Sequence, residues 1–188
     1  MRADRLKILA GITIGLLACF AASATSLARM SVVQMAHASA IIVRAKCLSS
    51  EVRREEGEIW TFTAFQVEET WKGEARARIT VRLLGGRLGE ITSHVSGVPQ
   101  FRAGEDVVLF LERAPRGNYS VVSWERGTFR IRDGSRAAEF TVTQDTAATP
   151  VFNPSTRQFE VVGVRRMPLR EFRAQVKAAT GEPSGSGE

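Results

Sequence analysis

The run Ile59-Trp60-Thr61-Phe62-Thr63-Ala64-Phe65-Gln66-Val67-Glu68-Glu69-Thr70-Trp71 decides how the chain reads. β-Branched and aromatic residues dominate its first half, which predicts a strand of unusual length. Trp60 and Phe62 share one face, whereas Phe65, Val67 and Trp71 share the other, so the alternation changes parity midway. A β-bulge or sharp coil near Ala64 produces such a change in a long strand wrapping a small barrel. Lys72-Gly73 closes the run as a turn.

The segments around this run carry the same signal. Upstream, Ala40 to Leu48 (AIIVRAKCL) is β-branched and apolar, with Arg44 and Lys46 alternating against Val43, Ala45 and Cys47, and predicts a strand with one wet face. Glu51 to Gly57 (EVRREEG) reads as a charged connection between the two strands. Downstream, Ile79 to Leu83 alternates cleanly, with Arg78, Thr80 and Arg82 outward. Gly85 to Gly104, through His94, Gly97 and Pro99, is too rich in breakers for a regular element and reads as a long loop. Val107 to Leu111 (VVLFL) is a continuous apolar run, which predicts a central strand covered on both sides. Arg113 to Asn118 has hairpin-turn composition, and Tyr119–Val122 and Phe129–Arg132 are two further strands joined through Trp124 and Gly127. Strands at such short spacing without helices between them predict a mainly β protein, a small antiparallel OB-like barrel or sandwich.

Helices are expected only at the ends. Ser26 to Ala38 places Leu27, Met30 and Val33 near helical spacing, with Ser31 as a candidate internal cap. After Asp133-Gly134 the chain is polar until Phe140-Thr141-Val142, and a strand is expected at Phe159–Val164. Met167 to Thr180 then reads as a helix with Pro168 in its first turn. Leu169, Phe172, Val176 and Ala179 form its apolar stripe, opposite Arg166, Arg170, Arg173 and Lys177.

The chain has 188 residues, a formal charge of +6, 44% apolar and 24% charged residues, which excludes coiled-coil, collagen-like and wholly disordered classes. Arg2, Arg5 and Lys7 precede an apolar stretch from Ile8 to Ala22, and Ala22-Ser23-Ala24 is the small-x-small pattern of a signal-peptidase site. Export is therefore expected, periplasmic or extracellular. The expected divisions are 1–24 signal peptide, 25–134 barrel, 135–180 extension with the C-terminal helix, and 181–188 flexible tail. Cleavage would lower the net charge from +6 to +4, because Asp4 leaves with the three basic residues. One alternative is anchorage: Leu16-Leu17-Ala18-Cys19 resembles a lipobox, although Phe20-Ala21-Ala22 continues the apolar run where a lipoprotein turns polar. A retained membrane helix fits poorly, since 17 residues from Ile8 to Ala24 fall short of the roughly 20 needed. A domain of this size hides roughly 70% of its unfolded surface and needs no metal or disulfide to fold. With Cys19 in the export segment, Cys47 stands alone and is expected to be a small core residue.

The block Ser39 to Ile131 resembles the netrin-like and tissue-inhibitor-of-metalloproteinase superfamily. The matching phrases are Ala-Ile-Ile-Val-Arg-Ala-Lys-Cys-Leu at Ala40 to Leu48, Phe-Gln-Val-Glu-Glu-Thr-Trp-Lys-Gly at Phe65 to Gly73, and Ala-Gly-Glu-Asp-Val-Val-Leu-Phe-Leu at Ala103 to Leu111. It is also similar to uncharacterised exported bacterial proteins built on the same phrases. The resemblance implies an OB-type barrel over about half the chain. It does not carry over inhibition. In the animal inhibitors a disulfide-bonded N-terminal cysteine chelates the protease zinc, whereas cleavage here exposes Thr25 and leaves one cysteine.

Catalytic constellations are sparse. The chain has His37 and His94 and no G-x-S-x-G, so a nucleophilic triad lacks support. His37 reads as a surface or cap residue. Two histidines 57 positions apart and one strand cysteine make no zinc signature. Glu55-Glu56, Glu68-Glu69 and Glu105-Asp106 are adjacent pairs whose members point to opposite faces in a strand, unlike glycosidase carboxylates facing across a cleft. Gly85-Gly86-Arg87-Leu88-Gly89-Glu90 lacks the Lys-Ser/Thr of a phosphate loop. Arginine is abundant, 22 residues, and Arg78, Arg82, Arg130 and Arg132 near Trp60 or Phe62 would suit nucleic acid; export and a mature charge of +4 among 19 acids argue against it.

The expected function is therefore a non-catalytic exported binding module with no metal or cofactor, contacting a protein or envelope polymer through the loop Gly85 to Pro99, with Arg87, His94 and Phe101 as exposed contacts. No nucleic-acid partner is expected, a membrane only if Cys19 is lipidated, and the oligomeric state stays open. The rival classes are an enzyme or accessory domain of the cell envelope, and a purely structural envelope protein. A deep pocket pairing His94 with a carboxylate would favour the enzyme; an apolar or arginine-lined groove without a perturbed acid would favour binding.

Overall fold

Two strands of fifteen residues, β1 (Ile41–Glu55) and β2 (Glu58–Lys72), pair as one long hairpin. The computed structural model describes residues 30–133, 139–148, 151–153, 157–160 and 163–181. The hairpin turns through Glu56 and Gly57 at φ 55° and 87°, the consecutive positive values that a tight two-residue turn needs. The expectation of a charged connection from Glu51 to Gly57 is thereby corrected: Glu51 to Glu55 are strand, and only two residues turn. Their charges misled because a strand with a solvated face tolerates them, and because Arg53 lies over the Phe62 ring at 3.9 Å.

The parity change falls elsewhere than near Ala64 in β2. Cys47 pairs with Phe65 and Ser49 with Ala64, so the unmatched residue is Leu48 in the partner strand. In β2 the residues without an opposite number are Glu68 and Trp71. Phe65 packs inside the barrel, while Trp71 joins a second core outside it. The two residues expected to share a face therefore serve different cores, because each bulge rotates the following side chains.

β2 pairs next with β3 (Arg78–Leu84). Two short hairpin strands follow, β4 (Gly86–Leu88) and β5 (Ile91–Ser93), and then β6 (Asp106–Arg113) and β7 (Tyr119–Val121). β6 returns to β1 from Ile41↔Leu111 to Lys46↔Asp106, which completes the ring β1–β2–β3–β7–β6–β1. Every pairing in the ring is antiparallel except β3–β7, a single parallel bridge at Val81↔Tyr119. The result is a small, partly closed OB-like barrel. β8 (Thr128–Asp133), β9 (Phe140–Gln144) and β12 (Met167–Pro168) extend the same sheet beyond β6. Of the strand expected at Phe159–Val164, Phe159 and Glu160 belong to β11 (Gln158–Glu160), which pairs with β10 (Val151–Asn153); Gly163 and Val164 are not strand, and residues 161–162 lie outside the described residues.

The central run of β6 behaves as read. Val107, Leu109 and Leu111 fill the barrel with Val43, Phe65 and Val81, while Val108 and Phe110 face outward and are covered as well. The cover is helical. Helix α1 (Val32–Ala38) buries Met35 and Ala36, and helix α2 (Leu169–Thr180) buries Phe172 and Val176 against Trp71, Phe110 and Phe129. Ser31 is the N-cap of α1 rather than an internal residue: its hydroxyl accepts from Gln34 N at 3.2 Å, and its own N donates to Gln34 Oε1 at 2.8 Å. Residues 26–29 of the expected helix lie outside the described residues. At the other end of α1, Lys72 Nζ donates to the carbonyls of Ala36 and Ser39 at 2.7 and 2.6 Å, a cation where the helix dipole is negative. Pro168 is the N-cap of α2, one position before its first turn. Signal, cleavage and lipobox positions, and the tail from 182, lie outside the described residues.

Candidate functional site

Gly85 and Gly86 end β3 at φ 93° and 135°, and let the chain reverse into the β4–β5 hairpin. Part of the expected long loop is thus regular structure, which breakers concealed because they supply its corners. Gly86 also has to be small. A Cβ there would lie 2.5 Å from Thr61 Oγ1 and 2.9 Å from Val52 Cγ1.

This hairpin, the loop from His94 to Phe101 and the inner faces of β1, β2 and β3 enclose a cavity of about 290 Å³ at the mouth of the barrel. Phe101 packs edge-on against the core residue Phe65, with centroids 5.0 Å apart, and seals the cavity from the interior. Val52, Leu83, Val95, Val98 and Pro99 supply apolar walls. Opposite them are hydroxyls. Ser50 Oγ and Thr63 Oγ1 are 2.9 Å apart, and Thr61 Oγ1 donates to Gly85 O at 2.7 Å. Arg87 and His94 stand exposed among the lining residues, with Arg87 Nε donating to Gly89 O at 3.2 Å.

The three residues singled out in the sequence therefore meet at one cavity. Arg87 and His94 are exposed as expected; Phe101 is corrected from an exposed contact to a half-buried one, since its ring completes the barrel core. Ser50, Val52, Thr61 and Thr63 were missed. Their only local signal is the period of two in Thr61/Thr63, and register alone pairs Ser50 with Thr63.

Among the described residues no carboxylate lines the cavity. Asp106, Glu105 and Asp145 are engaged by arginines. Arg44 Nη2 bonds Asp106 Oδ2 at 2.5 Å, and Arg130 holds both Glu105 and Asp145 while donating to Gln100 O at 2.7 Å. For Arg130, burial opposes the charged form, and the hydrogen bonds and charges of Asp145 and Glu105 outweigh it, so its pKa rises above the ordinary arginine value. The expected stripe of Arg78, Arg82, Arg130 and Arg132 is corrected by topology: β8 is separated from β3 by β6 and β7. His37 is exposed on α1. Among the described residues no cluster of three or more His, Cys, Asp or Glu is placed to hold a metal, and no helix is long and apolar enough to cross a membrane.

Cys47 is 1% exposed inside the barrel, where burial pushes its thiol pKa up, with Glu105 adding and Arg130 opposing. A folded-state pKa above the unfolded one stabilises fully below the unfolded value, 9.0, and that stabilisation is lost as pH rises through the folded value. In a Cys19→Ser background, Cys47 should react with a thiol reagent only as fast as the protein opens. Cys47→Ala should flatten the stability loss between pH 8 and 10, measured by denaturant titration; an unchanged slope would assign that loss to other groups.

No family model matches the chain, and comparison with curated proteins finds no relative.

Proposed function

We propose that the chain is an exported, non-catalytic binding module, periplasmic or extracellular, that takes up part of a protein or envelope-polymer partner in the cavity at the barrel mouth. The observation that carries this reading is the chemistry of the lining: apolar walls and hydroxyls with Arg87 and His94, and no carboxylate to serve His94 as an acid–base partner. An OB-like barrel with loops gathered at one mouth is a rigid scaffold for such a contact. The netrin-like resemblance of Ser39 to Ile131 belongs to the same reading, without the cysteine device of the inhibitors. The leader-like residues 1–24 support export, and intact mass would decide between a chain starting at Thr25 and one lipidated on Cys19.

Immobilised mature protein should retain a component of an envelope fraction that the Arg87→Ala/His94→Ala double variant retains at least ten-fold less, with the same unfolding midpoint. Both substitutions are at exposed positions, so stability should move by no more than about 0.5 kcal/mol. Equal retention by wild type and variant would remove the cavity as the contact site.

A further inference from the structure

The outer face of the β1–β2–β3 sheet carries a feature that the cavity does not use. Val81 and Leu83 point into the barrel core, so Arg82 between them points out, opposite Phe62 in β2. Trp60 follows on the same face, opposite Arg53 in β1 and Leu84 in β3. Each arginine reaches across to an aromatic ring. Arg53 Cζ lies 3.9 Å from the Phe62 centroid, and Arg82 Cζ lies 3.8 Å from that of Trp60.

The two arginines differ in one respect. Arg53 is about half exposed and has Glu55 at 3.6 Å. Arg82 is only 9% exposed, its Nε is buried without a hydrogen-bond partner, and no described residue forms an ion pair with it. Three other arginines have acids beside them: Arg44 has Asp106, Arg130 has Glu105 and Asp145, and Arg173, whose Nε is likewise buried and unpartnered, has Glu69. A desolvated guanidinium without an anion is costly, and the indole beneath it offsets only part of that cost. Only Nε of the Arg82 nitrogens is both buried and unpartnered, and no described residue accepts a hydrogen bond from the two terminal ones. Stacking fixes the plane of the guanidinium and leaves its edge as a preset fork for a planar oxyanion.

We propose that Arg82, held by Trp60, anchors a carboxylate of a partner protein, and that the outer face of β1–β2–β3 is a docking surface for an acidic polypeptide segment. The charge complementarity is local: Glu51, Glu55 and Glu58 share this face by register, and none of them forms an ion pair with Arg82. A polypeptide fits better than an acidic polysaccharide, because a guanidinium already lies over each ring, where a sugar would compete for the stacking position. Leu84, half-buried beside Trp60, offers an apolar side chain of the segment a neighbour. Leu84 is the one residue this surface shares with the cavity lining, and neither Arg82 nor Trp60 lines the cavity, so either can fail without the other.

The test uses the mature protein labelled with 15N and poly-L-glutamate as the probe. The Arg82 Nε–H and Trp60 indole resonances should shift together along one binding curve, and affinity should fall as NaCl rises. Arg82→Met keeps the stem over Trp60 and should weaken binding at least ten-fold without lowering the unfolding midpoint; Arg82→Lys should restore less than half of the lost affinity. Unchanged affinity in Arg82→Met would overturn the proposal, as would shifts confined to other residues. Polygalacturonate of matched charge giving the same Arg82 shifts at equal affinity would overturn the polypeptide assignment. The wild-type resonances decide the matter even if the methionine variant unfolds.

Discussion

Phe172→Ala should destabilise the protein by about 3–5 kcal/mol, the cost of emptying a fully enclosed aromatic site. Phe172 is 0% exposed and is the side chain through which α2 grips the barrel: its ring centroid lies 4.6 Å from Phe129, 6.0 Å from Trp71 and 6.3 Å from Phe110. Three aromatic neighbours at such distances leave little freedom to collapse into the vacancy, so both the transfer and the cavity contributions should appear. The thermal midpoint should fall by roughly 10 °C or more. Phe172→Leu, which keeps most of the volume, should cost less than half as much. Arg170→Ala, on the exposed side of the same helix, should cost no more than about 0.5 kcal/mol. A loss below about 1 kcal/mol for Phe172→Ala would mean that α2 does not contribute to the barrel's stability.

Arg130→Met should be the second severe change, at about 3 kcal/mol, the lower end of what breaking a buried ion pair costs. Its side chain is 19% exposed and its two partners, Glu105 and Asp145, 24% and 17%, so solvent screens the network only in part. Methionine preserves the stem but strands two carboxylates on one covered site, where they repel each other and lose the guanidinium donors, leaving Glu105 only the Arg102 N–H at 3.0 Å. Adding Glu105→Gln and Asp145→Asn should recover more than half of the loss; no recovery would locate the damage in packing rather than charge. The effect should reach the cavity. Arg130 also donates to Gln100 O and lies 5.4 Å from the Phe101 ring, so it secures the segment that seals the barrel mouth. Partner retention should therefore fall in Arg130→Met even under conditions where the variant remains folded. Because the Arg130 pKa is raised, its stabilisation is complete at every pH below the ordinary arginine value.

Several parts of this architecture were written locally. Ile79 to Leu83 alternates because Ile79, Val81 and Leu83 face the barrel core while Thr80 and Arg82 face away from it, and Val107 to Leu111 is apolar throughout because both of its faces are covered. Phe172 and Val176 recur at helical spacing because one side of α2 meets the core. Burial imprints its period on such segments, so they can be read without their partners. The Arg87–His94 loop was legible for a related reason: glycines and polar residues between strands mark surface chain near a barrel mouth.

Other features belong to pairs of segments and had no local trace. Glu51 to Glu55 look like a loop because their charges remain solvated, and only hydrogen bonding to β2 makes them strand. The bulges at Leu48, Glu68 and Trp71 are mismatches between two strands, which neither strand declares by itself. Ser50 meets Thr63 through the register of the hairpin, and Phe101 meets Phe65 through the return of a distant loop. The chain alone determined a mainly β domain with a helix at each end and an arginine-rich surface. Tertiary structure alone decided which arginines have acids beside them and that Arg82 has no ion-pair partner among the described residues, because an ion pair depends on distance across the fold and not on position along the sequence.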